Sequence, residues 1–102
     1  MKLEFDGEVI SEAASAIEVL EALERLADSG GAFVLLARDT MTYMQTADNA
    51  DGRYVIEYQV GSVTEHYACY DANLDTVKAA FGAYLDGDPS WQKMVTWEKQ
   101  DF

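Results

Sequence analysis

The pattern of side chains around one glycine constrains this chain more than any other feature. The segment "YVIEYQVGSVTEHYACY", residues 54–70, alternates apolar and polar residues on both sides of Gly61. Alternation with a period of two is typical of a strand, and a glycine between two such runs supplies the positive φ of a type II′ turn. We therefore predict a β-hairpin with a two-residue turn inside residues 60–63.

The predicted turn also fixes a register, in which Val60 lies opposite Val63 and Glu57 lies opposite His66. Because side chains of a strand alternate between the two faces of a sheet, the hairpin has an apolar face and a more polar face. The apolar face is predicted to hold Tyr54, Ile56, Tyr58, Val60, Val63, Tyr67 and Cys69. The polar face is predicted to hold Arg53, Val55, Glu57, Gln59, Thr64, His66, Ala68 and Tyr70.

The remaining sequence predicts an α+β fold in one domain spanning residues 1–102. The predicted order is β-α-β-β-β-β-α-β, a mainly antiparallel sheet of about five to six strands with two helices packed on one face. Outside the hairpin, strands are predicted in residues 2–10, 32–38, 41–47 and 94–98, and helices in residues 13–29 and 73–87. The "FDGE" turn interrupts the first strand, which we read as a short strand or the arm of a hairpin.

Capping residues mark both predicted helices. Ser15 and Glu18 fit a capping box, and Asn73 is placed to cap the second helix. Glycines follow each helix, Gly87 in the second case. Gly82 lies inside the second helix, where a small residue predicts a close approach of the helix to the sheet.

The charge of the chain excludes some partners and favours others. Nineteen acidic residues against seven basic ones give a formal net charge of −12, which repels nucleic acid and anionic lipid. The same charge favours a basic protein partner, although acidic surfaces also simply keep small proteins in solution. The N-terminal residues lack the apolar run of a signal peptide, and no stretch approaches the ~18 apolar residues of a membrane span. We expect a cytoplasmic protein.

The lone histidine and the lone cysteine do not form a predicted catalytic pair. His66 and Cys69 are three residues apart in a strand, so they point to opposite sides of the sheet, and Cys69 is predicted to be a structural residue. One cysteine cannot form an internal disulfide, and one histidine with one cysteine cannot build a usual zinc site. "DNAD" and "DGD" resemble pieces of calcium loops but lack the closing glutamate. We therefore predict no catalytic residue, no cofactor and no metal.

The polar face is instead a candidate contact surface for a partner. Tyrosines among carboxylates can anchor a protein interface, and the candidate residues are Glu57, His66, Tyr70, Tyr43 and Arg53. Two alternatives stay open at this point. The face can be the contact of a homodimer in a structural or assembly subunit, or Glu57, His66 and Tyr70 can serve a small-ligand site or an enzyme.

The C-terminal segment, residues 73–100, resembles the ending of Imm-type immunity proteins of bacterial polymorphic toxin systems. In those proteins a helix of the form "L-x-x-V-x-x-A-x-x-x-Y/F-L" leads into a Gly/Asp/Pro turn and a strand with a tryptophan. The matching positions here are Leu74, Val77, Ala80, Tyr84, Leu85, Gly87, Pro89 and Trp97. The resemblance implies a cytosolic protein that binds and occludes a toxin domain without catalytic residues of its own.

Overall fold

The computed structural model describes residues 1–101, which form two α-helices and a seven-stranded sheet. In chain order the elements are β1 (Lys2–Phe5), β2 (Glu8–Ser11), α1 (Ala16–Ser29), β3 (Phe33–Ala37), β4 (Tyr43–Asp48), β5 (Tyr54–Gln59), β6 (His66–Ala72), α2 (Leu74–Asp86) and β7 (Glu98–Lys99). Short 3₁₀ turns occupy Ala50–Gly52, Val63–Glu65 and Pro89–Lys93.

The sheet is antiparallel throughout, with the strand order β2-β1-β3-β4-β5-β6-β7. The predicted α+β class is confirmed, with seven strands instead of five or six. The additional strand arises because the first predicted strand is a complete hairpin. Asp6 and Gly7 between its two arms have φ values of 49° and 87°, the positive values that a two-residue type I′ turn requires.

The predicted helix caps are confirmed. The Ser15 side chain accepts a hydrogen bond from the Glu18 backbone, and the Glu18 carboxylate accepts one from the Ser15 backbone. Asn73 accepts from the Thr76 backbone at 2.8 Å at the start of α2. Gly87 ends α2 with a φ of 74°. The interpretation of Gly82 is wrong, because a Cβ at that position would meet nothing within 4 Å, so no close approach to the sheet requires glycine there.

Both helices pack on one face of the sheet, and the core lies between the helices and the sheet. The sheet contributes Leu3, Phe5, Val34, Leu36, Met44 and Ile56, and the helices contribute Val19, Leu23, Leu26, Val77 and Phe81. Burying side chains of this size is the main stabilising term for a domain of this length. Six of the eight residues that carry the C-terminal resemblance, all but Gly87 and Pro89, belong to this core or pack against it.

The β5–β6 hairpin has a longer loop than predicted. Gln59 lies opposite His66, and Ile56 lies opposite Cys69, which shifts the predicted register by two residues. The two-residue turn is wrong because Ser62 caps a 3₁₀ turn, accepting from the Thr64 backbone at 3.1 Å. The positive φ at Gly61 is confirmed at 75°. A shift of two keeps the side chains of the paired residues 56–59 and 66–69 on their predicted faces, whereas Val63, now in the loop, lies on the opposite face from the predicted one.

The last strand is shorter than predicted. Only Glu98 and Lys99 pair with β6, whereas a strand was predicted for residues 94–98. The 3₁₀ turn Pro89–Lys93 precedes the strand, which begins only at Glu98. The Trp91 side chain of this turn packs into the core and is 7% exposed. Glu98 therefore falls on the sheet face that the helices leave uncovered, next to Ala68.

Candidate binding surface on the open sheet face

The face of the sheet opposite the helices, called here the open face, carries a straight row of residues across six strands. The register aligns Glu4, Leu35, Gln45, Glu57, Ala68 and Glu98, which we call the carboxylate row. With strands about 4.8 Å apart, Glu57 lies roughly 14 Å from Glu4 and about 10 Å from Glu98. The row contains three carboxylates and no basic residue.

A shallow hollow lies in the middle of the open face. Its volume is about 340 Å³, and it is lined by Tyr43, Gln45, Glu57, Gln59, Val63 and His66. These residues come together because the register places Tyr43 opposite Gln59 and Gln59 opposite His66. Alternation then places Gln45 and Glu57 on the same face as their neighbours.

Gln59 organises the polar contacts of the hollow. Its side-chain nitrogen donates to the Met41 carbonyl at 3.1 Å, which fixes the orientation of the amide. Its Oε1 atom therefore faces two donors, the Tyr43 hydroxyl at 3.3 Å and His66 Nδ1 at 3.0 Å. Because a carbonyl oxygen only accepts, the Nδ1 atom of His66 carries a hydrogen.

The other ring nitrogen of His66 contacts Glu57. His66 Nε2 lies 3.3 Å from Glu57 Oε1, while Gln45 donates to Glu57 Oε2 at 2.7 Å. The Glu57 carboxylate thus lies between the Gln45 amide and the His66 ring. The Glu57 side chain keeps 23% of its surface exposed, so the hollow presents it to a bound group.

Tyr43 closes one side of the hollow as a neutral hydrogen-bond donor. Its ring meets the His66 ring edge to face, with 6.1 Å between centroids. Burial, followed by the nearby Glu57 charge, raises the pKa of the Tyr43 hydroxyl above its usual value. The hydroxyl is thus protonated at neutral pH.

Of the five candidate contact residues, the structure brings Tyr43, Glu57 and His66 together in the hollow. Tyr70 stands apart on the open face, 50% exposed, and its hydroxyl donates to Gln100 Oε1 at 2.7 Å. Arg53 does not join the hollow. Its Nε atom lies 3.3 Å from Asp71 Oδ1, and its side chain lines a different depression.

The predicted separation of His66 from Cys69 is confirmed. Cys69 packs against the core between sheet and helices, and His66 lies on the open face. His66 is more enclosed than the term polar face suggested, because only 4% of its surface is exposed and Gln59 beside it is 3% exposed.

Sequence reasoning missed the importance of Gln45 and Gln59. Gln59 was placed on the correct face but opposite Thr64, so its contact with His66 was not foreseen. Gln45 follows Tyr43 by two residues, and this spacing could have placed it beside Tyr43 on one face. Each of these glutamines lies in a strand that also carries a tyrosine and a carboxylate, and this composition is the signal that could have drawn attention to them.

Two further observations bear on the class of site. Within residues 1–101, no group of three or more His, Cys, Asp or Glu side chains is placed to hold a metal ion. Neither described helix has the length and apolar character needed to cross a membrane.

Comparison with known proteins adds no assignment. No protein-family model matches the chain, and comparisons with curated proteins and with solved structures give no match. The resemblance of residues 73–100 to immunity proteins therefore stays a prediction.

Proposed function

We propose that this protein is a non-catalytic binding module that docks a basic protein partner on its open sheet face. The observation that carries the proposal is the carboxylate row, in which Glu4, Glu57 and Glu98 cross the face against one neighbouring basic residue, Lys2, whose Nζ atom lies 3.9 Å from Glu4 Oε2. A net charge of −12 adds long-range attraction for a basic partner and raises its association rate at low salt.

The hollow gives such a partner a specific place to dock. A lysine or arginine side chain entering it would meet the Glu57 carboxylate beside the ring of Tyr43, and cations are attracted to both groups. Tyr70, half exposed on the same face but outside the hollow, supplies a second aromatic contact. Tyrosines in such positions commonly contribute much of the binding energy of an interface.

The biological role that fits this module is inhibition by occlusion, as in the immunity proteins that residues 73–100 resemble. In the cytosol, the protein would cover the working surface of a basic toxin domain or of another basic protein. Such a role uses no nucleophile, and the arrangement supports that view. The Cys69 thiol lies on the other side of the sheet from His66, and both His66 nitrogens already face hydrogen-bond partners.

A capture experiment with charge-matched variants tests the proposal. The bait is the wild-type protein in low-salt extract of its native source, with elution by salt. One variant carries Glu4→Gln, Glu57→Gln and Glu98→Gln. The control carries Glu24→Gln, Asp28→Asn and Asp86→Asn on the exposed surface of the helices. Each triple variant removes three negative charges, so the formal net charge rises from −12 to −9 in both.

We expect the wild type and the helix variant to retain one basic protein that the open-face variant loses. Circular dichroism of all three proteins checks that they are folded. Equal retention by the two variants would mean that only net charge matters and would refute docking on the open face. A wild-type protein that recovers no partner and forms dimers in light scattering would support the alternative of an assembly subunit.

A further inference from the structure

The free edge of β2 is a second surface, separate from the hollow. β2 is the terminal strand of the sheet, three strands away from the β4–β5 part of the hollow. The outer backbone groups of a terminal strand are available to pair with another chain. Proteins often protect such an edge with lysine or proline, and the β2 sequence "EVIS" contains neither.

The edge is apolar on both sides of the sheet. Val9 lies opposite Glu4 on the open face and is 49% exposed. Ile10 is skipped by the pairing with β1, a β-bulge that turns its side chain toward α1, where it is 42% exposed. Val9 and Ile10 thus leave exposed apolar surface on both faces of the terminal strand, which a paired segment would cover.

A groove between β2 and α1 adjoins this edge. Its volume is about 300 Å³, and it is lined by Phe5, Ile10, Glu18, Glu21, Ala22 and Arg25. Phe5, Ile10 and Ala22 give it an apolar floor, and the Arg25 guanidinium lies 4.1 Å above the Phe5 ring. The Glu18 carboxylate is used in the helix cap, so Glu21 is the carboxylate left on the rim for a ligand.

The charge around the edge selects the occupant. Residues 2–25 include seven carboxylates against two basic residues, Lys2, which pairs with Glu4, and Arg25, which lies over Phe5 in the groove. A second copy of this chain would bring the same carboxylates against them, which is unfavourable. A positively charged segment would be attracted along the whole edge.

We propose that the β2 edge and its groove bind an extended segment of another protein, in which apolar side chains alternate with lysine or arginine. The segment adds a strand to the sheet through backbone hydrogen bonds, the mode called β-augmentation. One set of its side chains enters the groove beside Ile10, and its basic residues, on the opposite face of the added strand, lie on the open face beside Val9, two strands from Glu4. This site does not depend on the proposed docking at the open face.

Two blocked peptides of identical composition provide the test. One is a hexapeptide of alternating lysine and valine, and the other has three lysines followed by three valines. Each is titrated into ¹⁵N-labelled protein while backbone amide resonances are followed. We expect only the alternating peptide to shift residues 8–11 and to slow hydrogen exchange in β2, because only it presents apolar side chains on one side of a strand.

Three variants locate the binding. Ile10→Thr should weaken the alternating peptide about tenfold, since it removes most of the apolar contact in the groove. Ile17→Thr, at an exposed isoleucine of α1 outside the groove, should not change the affinity. Glu57→Gln should not change it either, which separates this site from the hollow.

The proposal is overturned by equal binding of the two peptides, by no shift in β2 at millimolar peptide, or by an undiminished affinity of Ile10→Thr. Shifts in β2 that grow with protein concentration alone would assign the edge to a second copy instead and would also overturn it.

Discussion

At the scale of single residues, Gln59 is the side chain on which the hollow depends. It is 3% exposed and satisfies three groups at once: the Met41 carbonyl, the Tyr43 hydroxyl and His66 Nδ1. A buried polar group that loses its partner costs more than an ordinary hydrogen bond contributes. The polar contacts of the hollow are therefore structural as well as available for binding.

Replacing Gln59 by leucine should lower the free energy of unfolding by about 1–3 kcal/mol, because the variant removes the oxygen to which the Tyr43 hydroxyl and His66 Nδ1 donate. Gln45→Leu is the matched control. Gln45 is less buried, and its side chain donates to Glu57, a carboxylate that keeps His66 as a second partner. Its cost should stay below about 1 kcal/mol. Urea denaturation measures both, and equal midpoints for the two variants would contradict the central position of Gln59.

Four tyrosines should titrate late. Burial raises the pKa of Tyr43, Tyr58 and Tyr84, and a hydrogen bond to the Glu65 carboxylate raises the pKa of Tyr67. The folded protein thus keeps protons that the unfolded chain releases above about pH 10. The stabilisation is complete below that pH and is lost as the pH rises through the folded-state pKa values.

Absorbance of tyrosinate measures this directly. We expect the titration of the folded protein to extend to higher pH than the single transition near pH 10 of the chain in urea. Tyr43→Phe should remove one tyrosine from the high-pH part of the curve. A folded-state curve that superposes on the unfolded one would show that these hydroxyls are not shielded as described.

At the scale of elements, replacing the glycine inside α2 and the glycine that ends α2 by alanine should change the stability in opposite directions. Gly82 lies within the helix with open space around it, so Gly82→Ala should stabilise the protein by about 0.5–1 kcal/mol. Gly87 ends the helix at a φ of 74°, where a side chain is strained, so Gly87→Ala should destabilise it by about 1 kcal/mol. Thermal unfolding of the two variants checks the signs, and a destabilised Gly82→Ala would restore the idea of close helix packing.

The elements could be predicted from sequence to the extent that local chemistry determines them. The helix caps at Ser15 and Asn73 are hydrogen bonds between near neighbours, so the sequence alone indicates them. The β5–β6 loop length depends on a 3₁₀ turn capped by Ser62, which competes with the tighter turn that Gly61 also permits. The paired side chains still lie on their predicted faces because the register moved by two residues. A shift of one residue would have placed them on the opposite faces.

The candidate site was less predictable, because it depends on pairing across strands. Tyr43 and His66 are 23 positions apart in the sequence and meet only through β5, which lies between their strands. Gln59 links the two, and its role depends on the register that sequence reasoning placed wrongly. Arg53 was predicted on the polar face, but the ion pair with Asp71 keeps it away from the hollow.

At the scale of the whole molecule, the two faces of the sheet have different roles. One face builds the core with both helices, and the open face carries the carboxylate row and the hollow. Negative charge extends over both the helices and the open face, so charge alone steers a partner toward the molecule without choosing a face. The aromatic and polar groups of the hollow are what make the open face specific in our proposal.

The most direct test of docking on the open face uses the only histidine of the chain. The ring resonances of His66 are unambiguous in NMR spectra, and the ring lines the hollow beside Glu57. The basic partner recovered at low salt is titrated into the protein while the His66 ring signals are observed. We predict that these signals shift or broaden in proportion to the bound fraction and recover when salt dissociates the complex. A complex that forms fully while the His66 ring signals stay unchanged would contradict binding at the hollow.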